Sequence, residues 1–268
     1  MSAGVLDRLT ASRRESIAAG FGRLTAAECE RMTAHARPVR DFAAALREHA
    51  DVAVIAEVKK ASPSRGPIAL DCDAARQALL YESGGAAAVS VLTEPDSFRG
   101  SYDDLSGVAE AVGVPVLCKD IVVDPVMLHL ARAHGADAVL LMASVLGERL
   151  GAFVDEAATL GIACLVEVRD VEELETALHA GASIVGVNAR DLHDLTIDRA
   201  RARETVASAR RAGVLVVAES GVRGRSDVED FARAGAHAVL VGETLMRSPS
   251  PQTILKGLTG VPKEGDRQ

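Results

Sequence analysis

The 268-residue chain predicts a (β/α)8 TIM barrel preceded by an N-terminal helical extension. Three observations carry this. The length suits one α/β barrel of roughly 250 residues. Two short patterns alternate along the chain at the spacing of one strand, one helix and two loops. One is Gly-Ala-x-x-Val opening an apolar run: GAAAVSVLT from Gly85, GADAVLLMAS from Gly135, GASIVGVN from Gly181 and GAHAVLVGE from Gly235. The other is Gly followed directly by apolar residues: GVPVLCKD from Gly113, GIACLVEV from Gly161 and GVLVVAES from Gly213. The runs are continuous rather than alternating, as in parallel strands covered on both faces. A doubly wound open sheet is the alternative, but an alternating repeat suggests a two-unit motif copied around a ring.

In chain order, the first 48 residues stand outside the repeat and contain helical stretches at Val5–Ala19, Ala26–Ala36 and Val39–His49. They form the extension of a single domain whose barrel spans 49–261. The strands read from the apolar runs are Val52–Lys59, Ala87–Thr93, Val114–Asp120, Ala138–Ser144, Cys164–Val168, Ile184–Asn188, Leu215–Ser220 and Ala238–Gly242. Between them, apolar residues at helical spacing mark Asp73–Ser83, Tyr102–Val112, Pro125–His134, Glu148–Leu160, Glu172–Ala180, Asp198–Arg211 and Asp227–Ala234. Asp124, Asp170 and Ser226 stand where N-caps belong. Gly135, Gly181 and Gly235 close helices and restart strands. The charged tail, 262–268, is expected to fray.

Composition narrows the function. Aromatics are only 3% of the chain, so the core must be aliphatic and there is no set of rings on which to stack single-stranded bases. The net charge of −8 excludes a basic nucleic-acid or membrane footprint, and a phosphate would have to be held locally. Cys29, Cys72, Cys118 and Cys164 form no CxxC or CxxH pair and read as reduced cysteines. Met1–Glu15 lacks a basic-then-apolar leader pattern, and no apolar run reaches the roughly 18 residues of a membrane span. A cytoplasmic protein is expected, with a monomer plausible.

Chemistry in such barrels sits at the C-terminal ends of the strands. Those ends read Glu57 and Lys59; Thr93 and Glu94; Lys119 and Asp120; Glu167; Asn188 and Arg190; Glu219, Ser220 and Gly221; Gly242 and Glu243. A single charge at a strand end is usually a solvated edge. Two lysines, three carboxylates and an amide at equivalent positions on five strands point to a site. Glu57 and Lys59 are two apart, share a strand face and can pair. The seven histidines fall on helices, in loops or at strand starts, so no metal cluster is read. The loops after strands 7 and 8 are the common phosphate site of barrels, and Gly221 and Gly242 permit close backbone approach there.

The stretch from Ala56 to Gly66, AEVKKASPSRG, resembles the first-strand signature of indole-3-glycerol phosphate synthases. SVLTEPDSFRGS (Ser90–Ser101), Lys119-Asp120, LVEV (Leu165–Val168), VNARDL (Val187–Leu192), AESGV (Ala218–Val222) and LVGETLM (Leu240–Met246) extend the likeness over nearly the whole chain. The resemblance implies decarboxylating ring closure of 1-(2-carboxyphenylamino)-1-deoxyribulose 5-phosphate, with release of CO2 and water and no cofactor or metal. It implies Lys119 as general acid, Glu167 and Lys59 as the further proton-transfer groups, and Glu57 holding Lys59. Asn188, Arg190, Glu219 and Ser220 match substrate-orienting residues. Ser62, Gly221, Gly242 and Glu243 match the surroundings of the substrate's phosphate and carboxylate. Phe98 matches an aromatic packed on the anthranilate ring. Two departures stand out: Ile121 where the family usually has Phe, and Val126-Met127 after Pro125. They leave open a paralogue acting on a substituted anthranilate. A Schiff-base aldolase with Lys119 or Lys59 as nucleophile is the reading from a different chemistry.

Overall fold

In the computed structural model, which describes residues 4–21 and 24–264, eight parallel strands close on themselves. They are β1 Ala53–Val58, β2 Ala88–Leu92, β3 Val116–Lys119, β4 Ala138–Met142, β5 Ala163–Val168, β6 Ile184–Asn188, β7 Leu215–Glu219 and β8 Ala238–Val241, and β8 pairs back onto β1. Seven lie inside the runs marked by the sequence, and β5 begins one residue earlier. Every residue of β1, β2, β4, β6, β7 and β8 is buried, which is why these runs lack alternation.

The helices are α1 Val5–Phe21, α2 Ala26–Thr33, α3 Phe42–Arg47, α4 Ala74–Ser83, α5 Tyr102–Ala111, α6 Val126–Ala133, α7 Ala143–Leu146, α8 Leu150–Thr159, α9 Val171–His179, α10 Arg199–Arg211, α11 Arg225–Ala234, α12 Glu243–Met246 and α13 Pro251–Leu258. Three sequence expectations change here. Ala143 and Ser144, read as strand, open the short α7 instead. Ser226 does not cap α11: the helix starts at Arg225 after Gly224, and Asp227 reaches back to accept the Arg223 N–H. Asp124 does not cap α6 either: Pro125 is the N-cap, and Asp124 before it accepts from Val126 N. Asp170 does cap α9, accepting from Glu173 N. The helix after β8, missing from the sequence reading, is α13, with Pro251 in its first turn.

The extension grips both ends of the barrel. At the C-terminal mouth, Val5 N and Leu6 N donate to the carbonyls of His193 and Leu192 in the loop after β6. Arg13 then forms a buried two-pronged bond to Asp120 after β3, at 2.9 and 2.7 Å. At the opposite end, fully buried Asp137 accepts from the Arg37 guanidinium and from the backbone N–H groups of Arg40 and Val116. The tail expected to fray from Pro262 is tied down at its start. Pro262 bridges to Asp51, and Lys263 Nζ donates to the carbonyls of Leu46, Arg47 and His49. Residues 265–268 lie outside the described residues. Among the described residues no helix is long and apolar enough to cross a membrane.

Candidate active site

Barrel interiors are filled by layers of four side chains drawn from alternate strands. At the mouth of this barrel one such layer is charged. Glu57 comes from β1, Lys119 from β3, Glu167 from β5 and Glu219 from β7. Lys119 Nζ lies 3.2 Å from Glu167 Oε2 and 3.3 Å from Glu219 Oε2. Glu57 Oε1 lies 2.5 Å from Lys59 Nζ, just past the end of β1. The even strands make room for these heads. A methyl group on Gly186 of β6 would collide with Glu219 Oε1, and one on Gly242, after β8, with Glu57 Oε1. Gly242 was expected to let backbone approach a phosphate; its missing side chain also gives the Glu57–Lys59 pair its space.

Three carboxylates around one enclosed ammonium set the electrostatics. Burial alone would lower the Lys119 pKa, but Glu219, Glu167 and Glu57 together outweigh it and raise the value, so Lys119 is an ammonium at neutral pH. Glu219 goes the other way. Burial, helped by Glu167 and Glu57 and opposed by Lys119, pushes its carboxyl up to about 8. Its Oε1 is buried without a hydrogen-bond partner. A carboxyl raised in the fold binds a proton there that the unfolded chain has already lost, so stability falls as pH climbs from the ordinary carboxylate range to about 8 and then levels. Glu219→Gln should therefore gain on the wild type as pH rises from 5 to 9. Urea midpoints at several pH values check this, and parallel pH curves for the two proteins would refute it.

The layer floors a cavity of about 320 Å³. Strand order separates its walls. On the side of β2 to β4 the lining is apolar, with Leu92, Phe98, Ile121 and Leu140 beneath Leu9 of α1. Phe98 is set by Glu94, which ends the run of β2. The Glu94 carboxylate accepts the backbone N–H groups of Asp96, Ser97 and Phe98 at 2.8–3.0 Å. The Phe98 carbonyl in turn accepts Ala61 N, linking this loop to the β1 loop. Ile121 lines the cavity, whereas Val126 and Met127 are buried in the first turn of α6.

The side of β6, β7, β8 and β1 is cationic. Ser62, Arg65, Arg190, Gly221, Arg223 and Arg247 all line it. Glu243 pairs with Arg65 at 3.1 Å and Arg247 at 3.3 Å, so it holds cations at the rim. Arg190 is steadied by Nη1 donating to the Leu195 carbonyl, and its N–H donates to Asn188 Oδ1. Ser220 and Gly221 both have positive φ, at 66° and 81°, turning the chain sharply into the cavity wall after β7. Every site residue read from the sequence thus borders this one cavity. Asp120 also borders it, but its oxygens are taken by Arg13, the Thr93 hydroxyl and Ile121 N. The sequence reading missed Arg65, Arg223, Arg247, Gly186 and Leu9. Arg65 stood within the quoted first-strand motif, while Arg247 follows Glu243 by one helical turn. Among the described residues no His, Cys, Asp or Glu group is arranged to hold a metal ion.

The family model described as indole-3-glycerol phosphate synthase matches residues 6–258. The chain belongs to that family. An indole-3-glycerol phosphate synthase of Mycobacterium avium is 47% identical over 257 residues, covering 96% of this chain and 94% of that protein. One of Mycobacteroides abscessus is 48% identical over 254 residues, covering 94% and 93%. Among solved structures, thiamine phosphate pyrophosphorylase from Pyrococcus furiosus aligns with a TM-score of 0.60 at 16% identity, covering 80% of this chain and 95% of that one. At that identity it bears on the fold alone. The reaction of the family is the decarboxylating closure of an indole ring on 1-(2-carboxyphenylamino)-1-deoxyribulose 5-phosphate, a carbon–carbon lyase step of tryptophan biosynthesis.

Proposed function

We propose that the chain performs this ring closure with Lys119 as the acid that activates the substrate ketone. The observation that carries the assignment is the charged layer: an enclosed ammonium held between two carboxylates at the floor of the cavity. An ammonium there can protonate the ketone oxygen as the ring carbon attacks, and the C–CO2 bond then breaks with its electron pair returning to the ring. Expulsion of the hydroxyl as water needs a second proton, and restoring the aromatic system needs a base to take one from the adjacent carbon. We assign those two transfers to Glu167, against Lys119, and Lys59, against Glu57. Asn188, Arg190, Glu219 and Ser220 orient the substrate. Ser62, Gly221 and Gly242, with the arginines held by Glu243, take the phosphate, and Phe98 packs on the anthranilate ring. A Schiff base at Lys119 would require a free amine, which the surrounding carboxylates disfavour.

In this proposal the enzyme is cytoplasmic and acts on a small phosphorylated substrate, with neither nucleic acid nor membrane as partner. Four free cysteines fit a reducing compartment, and a cavity walled by arginines on one side fits a small phosphorylated substrate. A fluorescence assay of indole formation with purified protein tests the assignment; no indole from the plain substrate would refute it. The same assay resolves aryl specificity. Ile121 stands in the apolar wall of the cavity. Ile121→Phe should lower kcat/KM for ring-substituted substrates about tenfold relative to the plain one, since small volume changes in such pockets carry that weight. An equal effect on both would remove Ile121 as a specificity determinant.

A further inference from the structure

Stilling a long side chain on binding costs affinity, and an arginine fixed beforehand avoids that cost. Arg190 is fixed at both ends. Its backbone N–H donates to Asn188 Oδ1 at 2.9 Å, and its Nη1 donates to the Leu195 carbonyl at 3.0 Å. The second bond depends on a strained residue. Leu195 has a φ of 67°, in the left-handed region where a bulky side chain is an outlier. Such a conformation persists only where its surroundings over-determine it.

Those surroundings centre on Asp191. Its N–H donates to the Thr196 carbonyl and its carbonyl accepts Leu195 N, both at 2.8 Å, so the turn closes on this one residue. Its carboxylate adds two further ties. Oδ1 accepts His193 N at 2.8 Å, and Oδ2 lies 3.4 Å from Nη1 of Arg169, the residue just past β5. Arg169 is itself paired with Asp170 and Glu173 at the head of α9. The turn after β6 is thus anchored to the neighbouring strand and helix. Asp194 braces it from the exposed side, its Oδ1 accepting Thr196 N at 2.9 Å and Thr196 Oγ1 at 2.7 Å. Arg190 and Leu195 line the main cavity, whereas neither Asp191 nor Asp194 borders it.

Resting on the assignment of Arg190 to the substrate of ring closure, we propose that Asp191 is a positioning residue of the enzyme: it holds Leu195 in the strained turn whose carbonyl fixes the Arg190 guanidinium before the substrate arrives. Asp191 never touches the substrate. A second route from Asp191 to the cavity runs through α1, because the Leu192 and His193 carbonyls of the same turn accept the N–H groups of Leu6 and Val5. The two routes give different kinetics.

Asp191→Ala should raise KM about fivefold and leave kcat within about twofold of wild type, the weight of one long side chain ordered on binding. Arg190→Met should raise KM at least as much. Adding Asp191→Ala to Arg190→Met should then change KM little, because the guanidinium through which Asp191 acts is gone. Action through α1, or a general loosening of the barrel, would instead multiply the two effects. Asp191→Asn, which keeps an oxygen for His193 N, should recover most of the wild-type KM. Asp194→Ala, at an exposed position, keeps the cycle available should Asp191→Ala not fold: it should raise KM about twofold alone and leave it unchanged beside Arg190→Met. Effects that multiply in either cycle, a kcat that falls in step with the rise in KM, or an unchanged KM in Asp191→Ala would each overturn the proposal. Absence of indole formation by the wild type would overturn the ring-closure assignment itself, a separate outcome.

Discussion

Lys119→Ala should lower kcat by about 10²–10⁴-fold, the range of a positioned proton-transfer group, while leaving KM within a few-fold of wild type. The arginines at the rim and the apolar wall, proposed to hold the substrate, stand on other strands and loops, so binding should survive the loss of the acid. The same substitution should show in stability. Lys119 is the cation at the centre of Glu57, Glu167 and Glu219. Without it the Glu219 carboxyl, already raised by burial, loses the cation that pulls it down and holds its proton to still higher pH. A carboxyl raised in the fold costs stability as pH rises, so the variant is least penalised at pH 5 and loses ground progressively through neutrality. Steady-state kinetics at pH 7.5 and denaturant midpoints from pH 5 to 9 test both halves. Turnover near wild type would remove Lys119 from the acid role. A KM rise matching the kcat loss would make it a binding residue.

The strands were legible because they obey a simple rule. A parallel strand covered on both faces must be apolar throughout, so its polar residues collect at its ends. Reading those ends yielded Glu57, Lys119, Glu167 and Glu219 without knowledge of how they meet. Their grouping is a consequence of closure: strands far apart in sequence contribute to one layer only when the barrel is complete. The missed residues lack such a rule. Gly186 looks like any glycine in an apolar run, and its need for space arises only from Glu219 on the neighbouring strand. Arg65 and Arg223 sit in loops and Arg247 just past the end of a short helix, where arginine is ordinary. Asp120 is the opposite case, a carboxylate at a strand end that stays outside the chemistry. It stands beside Lys119 as if part of the chemistry, yet its oxygens are occupied by Arg13, Thr93 and its own neighbour Ile121. No local pattern could pair it with a residue 107 positions earlier.

That pairing should dominate the hold of the extension on the barrel. Arg13 and Asp120 have side chains 4% and 0% exposed, so neither charge can turn to water when the other is lost. Arg13→Leu should cost about 3 kcal/mol of stability, as for other broken buried pairs. Asp120 keeps two N–H or O–H donors, which holds the cost at the lower end of that range. Adding Asp120→Leu should return part of the loss, because the stranded carboxylate goes with its partner. The kinetic consequence differs from that of Lys119. Helix α1 carries Val5 and Leu9 to the cavity, while the charged layer stands on β1, β3, β5 and β7. Loosening α1 should therefore raise KM by severalfold with kcat nearly kept. Urea unfolding of the single and double variants, with steady-state kinetics on each, decides the matter. A double variant no more stable than Arg13→Leu alone would show that the stranded charge is not the cost. A kcat loss as deep as that of Lys119→Ala would place Arg13 in the chemistry rather than in the clamp.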